Sequence, residues 1–99
     1  ASALLSCNGI VLDPANMSAV ANDRPVSLSR REFAVLQALM ERPGVLRSRD
    51  ALEARLYGWQ EEVESNAVEV HVHKLRAKLG RHVIETVRGI GYRMRVGAA

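Results

Sequence analysis

The stretch SNAVEVHVHKLRAKLG, residues 65–80, reads as one amphipathic helix, and its reading governs that of the rest of the chain. At about 100° per residue, Val68, Val72, Leu75 and Leu79 fall in one stripe with spacings of 4, 3 and 4, which predicts the face turned toward a core. Ser65 and Asn66 are both good N-caps; with Asn66 as the cap, Glu69 completes a capping box, and Gly80 stands where a C-terminal glycine belongs. Opposite the stripe lie Asn66, Val70, His73, Lys74 and Ala77, with His71, Arg76 and Lys78 on the flanks. Such groups suit base edges: Lys donates to guanine, Asn pairs with adenine, and a small apolar group meets the thymine methyl. A merely solvated basic face has the same composition, so the helix alone leaves both readings open.

Downstream, Val83–Val87 and Tyr92–Val96 flank Arg88-Gly89-Ile90-Gly91, the pattern of a β-hairpin with a glycine-rich tip. In the second strand apolar residues alternate with arginines, so Tyr92, Met94 and Val96 are expected to pack on the helices while Arg93 and Arg95 face outward. Gly89 and Gly91 are expected to permit backbone conformations that other residues resist and to leave space around Arg88, a side chain suited to a narrow groove.

Upstream, the segments LLS, IVL, SAVA and PVSL are separated by Asn8-Gly9, Asp13-Pro14-Ala15-Asn16 and Asn22-Asp23, all strong turn formers, which predicts a four-stranded antiparallel meander over residues 3–28. Ser29-Arg30-Arg31-Glu32 is a capping box; Phe33, Leu36, Leu39 and Met40 follow at helical spacing until Pro43-Gly44. Ser48 caps a second helix that carries Asp50 in its first turn and Leu52 and Leu56 on one face, and that ends near Tyr57-Gly58. GWQEEVE, residues 58–64, has no periodicity and reads as an exposed acidic loop. The expected architecture is α+β: an N-terminal four-stranded sheet, a three-helix core over 29–80 and a hairpin over 83–96, in one domain of 99 residues.

Composition narrows the function classes. The chain is 47% hydrophobic and 25% charged, and no apolar run approaches the roughly 18 residues of a membrane span. No basic residue precedes its short N-terminal apolar stretch and it begins without Met, as an excised domain of a cytoplasmic protein would. Cys7 is the only cysteine, which excludes an internal disulfide and a cysteine-based zinc site; it reads as a small strand residue. Net charge is +3 and unevenly spread: residues 1–65 hold 7 Lys and Arg against 9 Asp and Glu, residues 66–99 hold 7 against 2. Positive charge concentrated in the C-terminal third is the footprint of a phosphate-binding surface, although a membrane surface or an acidic protein attracts it equally.

Taken together, LSRREFAVLQALMERPGVLRSRDAL, SNAVEVHVHKLRAKLG and IETVRGIGYRM resemble the effector domain of the OmpR/PhoB family of two-component response regulators, in matching order and spacing from Leu28 to Met94. The SNAVEVHVH stretch looks most like the QseB/PmrA branch. The resemblance implies a winged helix-turn-helix that binds double-stranded DNA for transcription regulation, with the third helix in the major groove and the hairpin over the adjacent minor groove. It implies that Asn66, Val70, His73 and Lys74 lie nearest to bases, and that Arg49, Tyr57, His71, Arg76, Lys78, Thr86 and Tyr92 contact phosphates or support such contacts. Arg88 would be the minor-groove residue. It further implies head-to-tail pairing on direct repeats, a receiver domain elsewhere in the same protein, and a loop bearing Trp59, Glu61 and Glu62 that faces RNA polymerase. Tyr57 stands where the family more often has Trp, and His73 and Ala77 where many members have basic residues, which leaves base preference open.

Enzyme chemistry finds no support. His71 and His73 are two apart, about 200° around a helix, and cannot share one metal ion. There is no H-E-x-x-H, no G-x-S-x-G and no phosphate loop, and Gly89-Ile90-Gly91 is half a dinucleotide fingerprint that leads into a strand. No cofactor is expected. The competing reading is a winged helix used only on protein partners, since a fold does not fix a function.

Overall fold

The computed structural model describes residues 4–56 and 67–95. Four short strands, β1 (Leu5–Cys7), β2 (Ile10–Asp13), β3 (Ser18–Ala21) and β4 (Arg24–Val26), pair as an antiparallel meander in the order β1-β2-β3-β4. Two of its turns are two-residue loops with both residues at positive φ, Asn8 (53°) with Gly9 (78°) and Asn22 (52°) with Asp23 (66°). This is the primed geometry that matches strand twist, and Asn, Asp and Gly are the residues that tolerate it.

Helix α1 (Arg30–Met40) begins at the expected capping box, with Ser29 Oγ accepting from the Glu32 amide at 3.1 Å and the Glu32 carboxylate accepting from the Ser29 amide at 2.9 Å. Helix α2 (Arg49–Leu56) starts under Ser48, whose hydroxyl accepts from the Ala51 amide at 3.0 Å. Helix α3 spans Ala67–Leu79; the Gly80 amide closes its last turn on the Arg76 carbonyl at 2.8 Å, and the φ of +117° at Gly80 then turns the chain out of the helix. The cap proposed at Ser65 or Asn66 lies outside the described residues.

α1 sits at the centre. Phe33, Leu36, Leu39 and Met40 are buried, as their spacing predicts, against Ile10 and Leu12 of the sheet, Leu52 and Leu56 of α2, and the α3 stripe Val68, Val72, Leu75 and Leu79. All four stripe residues are buried, so the opposite face of α3 is the one presented to solvent. Among the described residues, no helix is long and apolar enough to cross a membrane.

The C-terminal strands differ from expectation in one respect. β6 (Ile84–Val87) and β7 (Gly91–Met94) form the hairpin, but a further strand, β5 (Arg47–Ser48), pairs with β7 to give a three-stranded sheet ordered β5-β7-β6. Two residues are too few to show a period, so β5 is invisible to pattern reading. It also changes the role of Gly91. Only Gly89 is at positive φ (+76°) in this hairpin, whereas a Cβ on Gly91 would stand 2.0 Å from the Arg47 carbonyl oxygen and 2.9 Å from Ser48 Cα. Gly91 is there because two backbones meet, not because the turn bends. β7 buries Tyr92 and Met94 as alternation predicts, while Val96 lies outside the described residues.

Candidate nucleic-acid interface

On α3, Val70, His73, Lys74 and Ala77 are exposed on the face away from the stripe; Val70, 38% exposed, is an apolar group held out in solvent. Asn66, expected beside them, is outside the described residues, as are Tyr57, Trp59, Glu61 and Glu62. The wing is fastened to this helix by Arg76, whose Nε and Nη2 donate to the Ile84 carbonyl at 3.2 and 2.8 Å and whose Nη2 also donates to Thr86 Oγ1 at 2.6 Å. Arg76 and Thr86, both expected at or behind the phosphates, therefore brace β6 against α3.

At the wing tip Arg88, Gly89 and Ile90 are exposed, the Ile90 amide closing the turn on the Val87 carbonyl at 3.0 Å. A hollow of about 320 Å³ lined by Arg49, Glu69, Thr86, Arg88 and Tyr92 joins the start of α2, the first turn of α3 and the wing. In it Arg49 faces Glu69 at 3.3 Å and Glu53 at 3.4 Å, so its charge is already balanced by two carboxylates. Tyr92 is buried, and burial first and Glu69 second push its hydroxyl above the usual tyrosine range. Within the wing the expected outward pair divides: Arg93 is bonded to Glu85 across the strands at 2.8 Å, and Arg95 is exposed.

The other flank of α3 faces α1. His71 is half-buried and its Nδ1 has no hydrogen-bond partner among the described residues. Burial, then the Lys74 charge, holds this imidazole below the usual histidine range of 6.5, with Glu32 pulling the other way and Arg31 adding to the depression. Lys78, expected among the phosphate or supporting residues, turns its ammonium inward: Nζ donates to the Ser27 carbonyl at 2.8 Å and to Glu32 Oε1 at 2.7 Å. Glu32 is only 3% exposed. Burial alone would raise its carboxyl, but the Lys78 hydrogen bond, the Ser29 amide and the charges of Lys78 and Lys74 outweigh it and hold the group below its ordinary 4.5. Glu32 is the residue that pattern reading placed only as a cap. Its second role depends on a partner 46 positions away, which no local signal announces.

The arrangement is a protruding helix with a mixed apolar and cationic face, and beside it a hairpin with an arginine at its tip. Residues 23–94 match the family model described as "Transcriptional regulatory protein, C terminal". The chain belongs to that family. It is a family of transcription regulators and not a class of enzymes. Among its members, the chain is 54% identical over 81 residues to the response regulator protein PmrA of Pseudomonas aeruginosa, covering 82% of this chain and 37% of that protein. It is 49% identical over 92 residues to the transcriptional regulatory protein QseB of Escherichia coli O157:H7, covering 93% of this chain and 42% of that one. The chain thus spans about two fifths of the length of the family members it matches. Both names agree with the branch suggested by SNAVEVHVH. Of the solved structures in the family's fold, the DNA-binding domain of CpxR from E. coli superposes with a TM-score of 0.85 at 29% identity, over 98% of this chain and 100% of that one. The Klebsiella pneumoniae RstA DNA-binding domain in complex with RstA box superposes with a TM-score of 0.79 at 30% identity, over 92% and 95%. The sheet, three helices and C-terminal hairpin are a winged helix of the OmpR/PhoB kind.

Proposed function

We propose that this chain is the DNA-binding output domain of a two-component response regulator, holding double-stranded DNA with α3 in the major groove and the β6–β7 wing over the adjacent minor groove. The observation that carries this reading is the bracing of the wing to α3 by Arg76, which sets two exposed elements of complementary reach side by side. A major groove admits a helix, and an arginine suits the narrow, strongly negative minor groove of A·T-rich DNA. The likeness to RstA, whose domain was solved on its box, supports it.

In this reading Lys74, His73, Val70 and Asn66 meet base edges, and Arg88 enters the minor groove. His71, Arg49 and Tyr57 lie toward phosphates, while Arg76, Thr86, Tyr92 and Lys78 hold those groups in place. One domain over residues 1–99 is then joined to a receiver domain in a cytoplasmic protein, as the two-fifths coverage of its relatives suits. Pairing head to tail on direct repeats, and use of the acidic loop with Trp59, Glu61 and Glu62 toward RNA polymerase, complete the proposal.

Lys74→Ala and Arg88→Ala separate the two grooves. Lys74→Ala is expected to lose discrimination at one or two base positions, on the order of 1 to 3 kcal/mol, while non-specific binding falls less. Arg88→Ala is expected to weaken binding broadly, to make the salt slope shallower by about one, and to be most harmful on A·T-rich flanks. Salt titration of each variant on a duplex selected by the parent chain from a random-sequence library, and on base-substituted and G·C-flanked forms of that duplex, measures both. A parent chain that retards no duplex even at low salt would reject DNA binding outright.

A further inference from the structure

The C-terminal end of α3 carries a second basic feature that the groove contacts above do not use. The 13 residues of α3 are about 20 Å long, whereas a major groove is about 12 Å wide. A helix that meets base edges through Val70, His73 and Lys74 therefore carries its last turn out to a groove wall, where the chemistry is phosphate. The exposed ridge through His73, Ala77 and Gly80 ends at Arg81, and these four with Arg76 line one open hollow of about 650 Å³. No carboxylate lines it. Arg76 already donates to Ile84 and Thr86, but Arg81 is exposed and, among the described residues, has neither a hydrogen bond nor an ion pair. Gly80, at φ +117°, turns the chain out of the helix just before it.

We infer that Arg81 is a phosphate contact at the C-terminal end of the recognition helix, so that the hollow beside His73 seats a backbone phosphate of the duplex whose bases α3 reads. This inference rests on the DNA-binding reading above. A cation after a helix C-terminus is also favoured by the helix dipole without any ligand, and the experiment must separate the two.

The test is fluorescence anisotropy of the 99-residue chain on a labelled random-sequence duplex and on a selected duplex, across a salt series, for the parent, Arg81→Ala and Arg81→Lys. Arg81→Ala is expected to bind both duplexes more weakly by the same factor, with log affinity falling less steeply on log salt by about 0.9, the increment for one phosphate. Over a fourfold rise in salt that removes about a threefold part of the parent's loss. Arg81→Lys is expected to keep the parent slope, because a phosphate needs only the charge. An Arg81→Ala slope equal to the parent's, a loss confined to the selected duplex, or an Arg81→Lys slope equal to that of Arg81→Ala would each overturn the assignment. A parent chain without salt-dependent binding would instead reject the DNA reading itself, and this inference with it.

Discussion

Gly91→Ala is expected to destabilise the chain by about 3 kcal/mol, the upper end of what overpacking ordinarily costs. The added methyl would overlap the Arg47 carbonyl oxygen at 2.0 Å, with the Arg47 carbonyl carbon and Ser48 Cα both at 2.9 Å. All three atoms are backbone, so no side chain can swing aside. Relief requires β5 to separate from β7, and β5 carries both the Arg47–Tyr92 pairing and the Ser48 cap of α2. In a chain of this size such a loss lowers the melting temperature by on the order of 10 to 20 °C. Gly89→Ala is the internal control, because a Cβ there meets nothing within 4 Å and only the φ of +76° is strained, at about 1 kcal/mol. Calorimetry of the two variants decides: equal, mild losses would mean that β5 and β7 do not approach as described.

Lys78→Met is expected to cost more stability than loss of any other α3 cation, on the order of 2 to 3 kcal/mol, because it strands the Glu32 carboxylate at 3% exposure. The Lys78 side chain itself is 39% exposed, and solvent screening keeps the figure below the roughly 3 to 5 kcal/mol of breaking a fully buried pair. The pH dependence has a definite sign. Glu32 is held below its ordinary 4.5 when folded, so the pair's contribution is fully present above about 4.5 and is lost as pH falls through the lower folded value. The gap in melting temperature between the parent chain and Lys78→Met should therefore be widest near neutrality and should close in acid. Lys78→Met that melts like the parent at neutral pH would return Lys78 to the solvent-facing set.

These two residues also mark the limit of what the sequence discloses. The capping box at Ser29, the stripe from Val68 to Leu79 and the Asn-Gly and Asn-Asp turns are local, since each involves residues within a few positions of one another, and the structure has them where the pattern puts them. Gly91 and Lys78 are read in sequence as a flexible tip and an outward cation, because their determining neighbours, Arg47 and Glu32, are distant in the chain. Arg93 is similar: alternation turns it outward correctly, but the Glu85 that neutralises it faces it only once β6 and β7 pair. At the candidate interface the sequence identifies which face of α3 is exposed. Which of its cations are already engaged within the protein is a tertiary fact.

Amide chemical-shift mapping of the 99-residue chain, as a selected duplex is added, shows whether α3 and the wing together form the DNA surface. Changes are expected to concentrate at Val70–Ala77 and at Arg88–Ile90, with β1–β3 nearly unmoved. Changes centred on the β1–β4 sheet, with α3 and the wing tip silent, would contradict it.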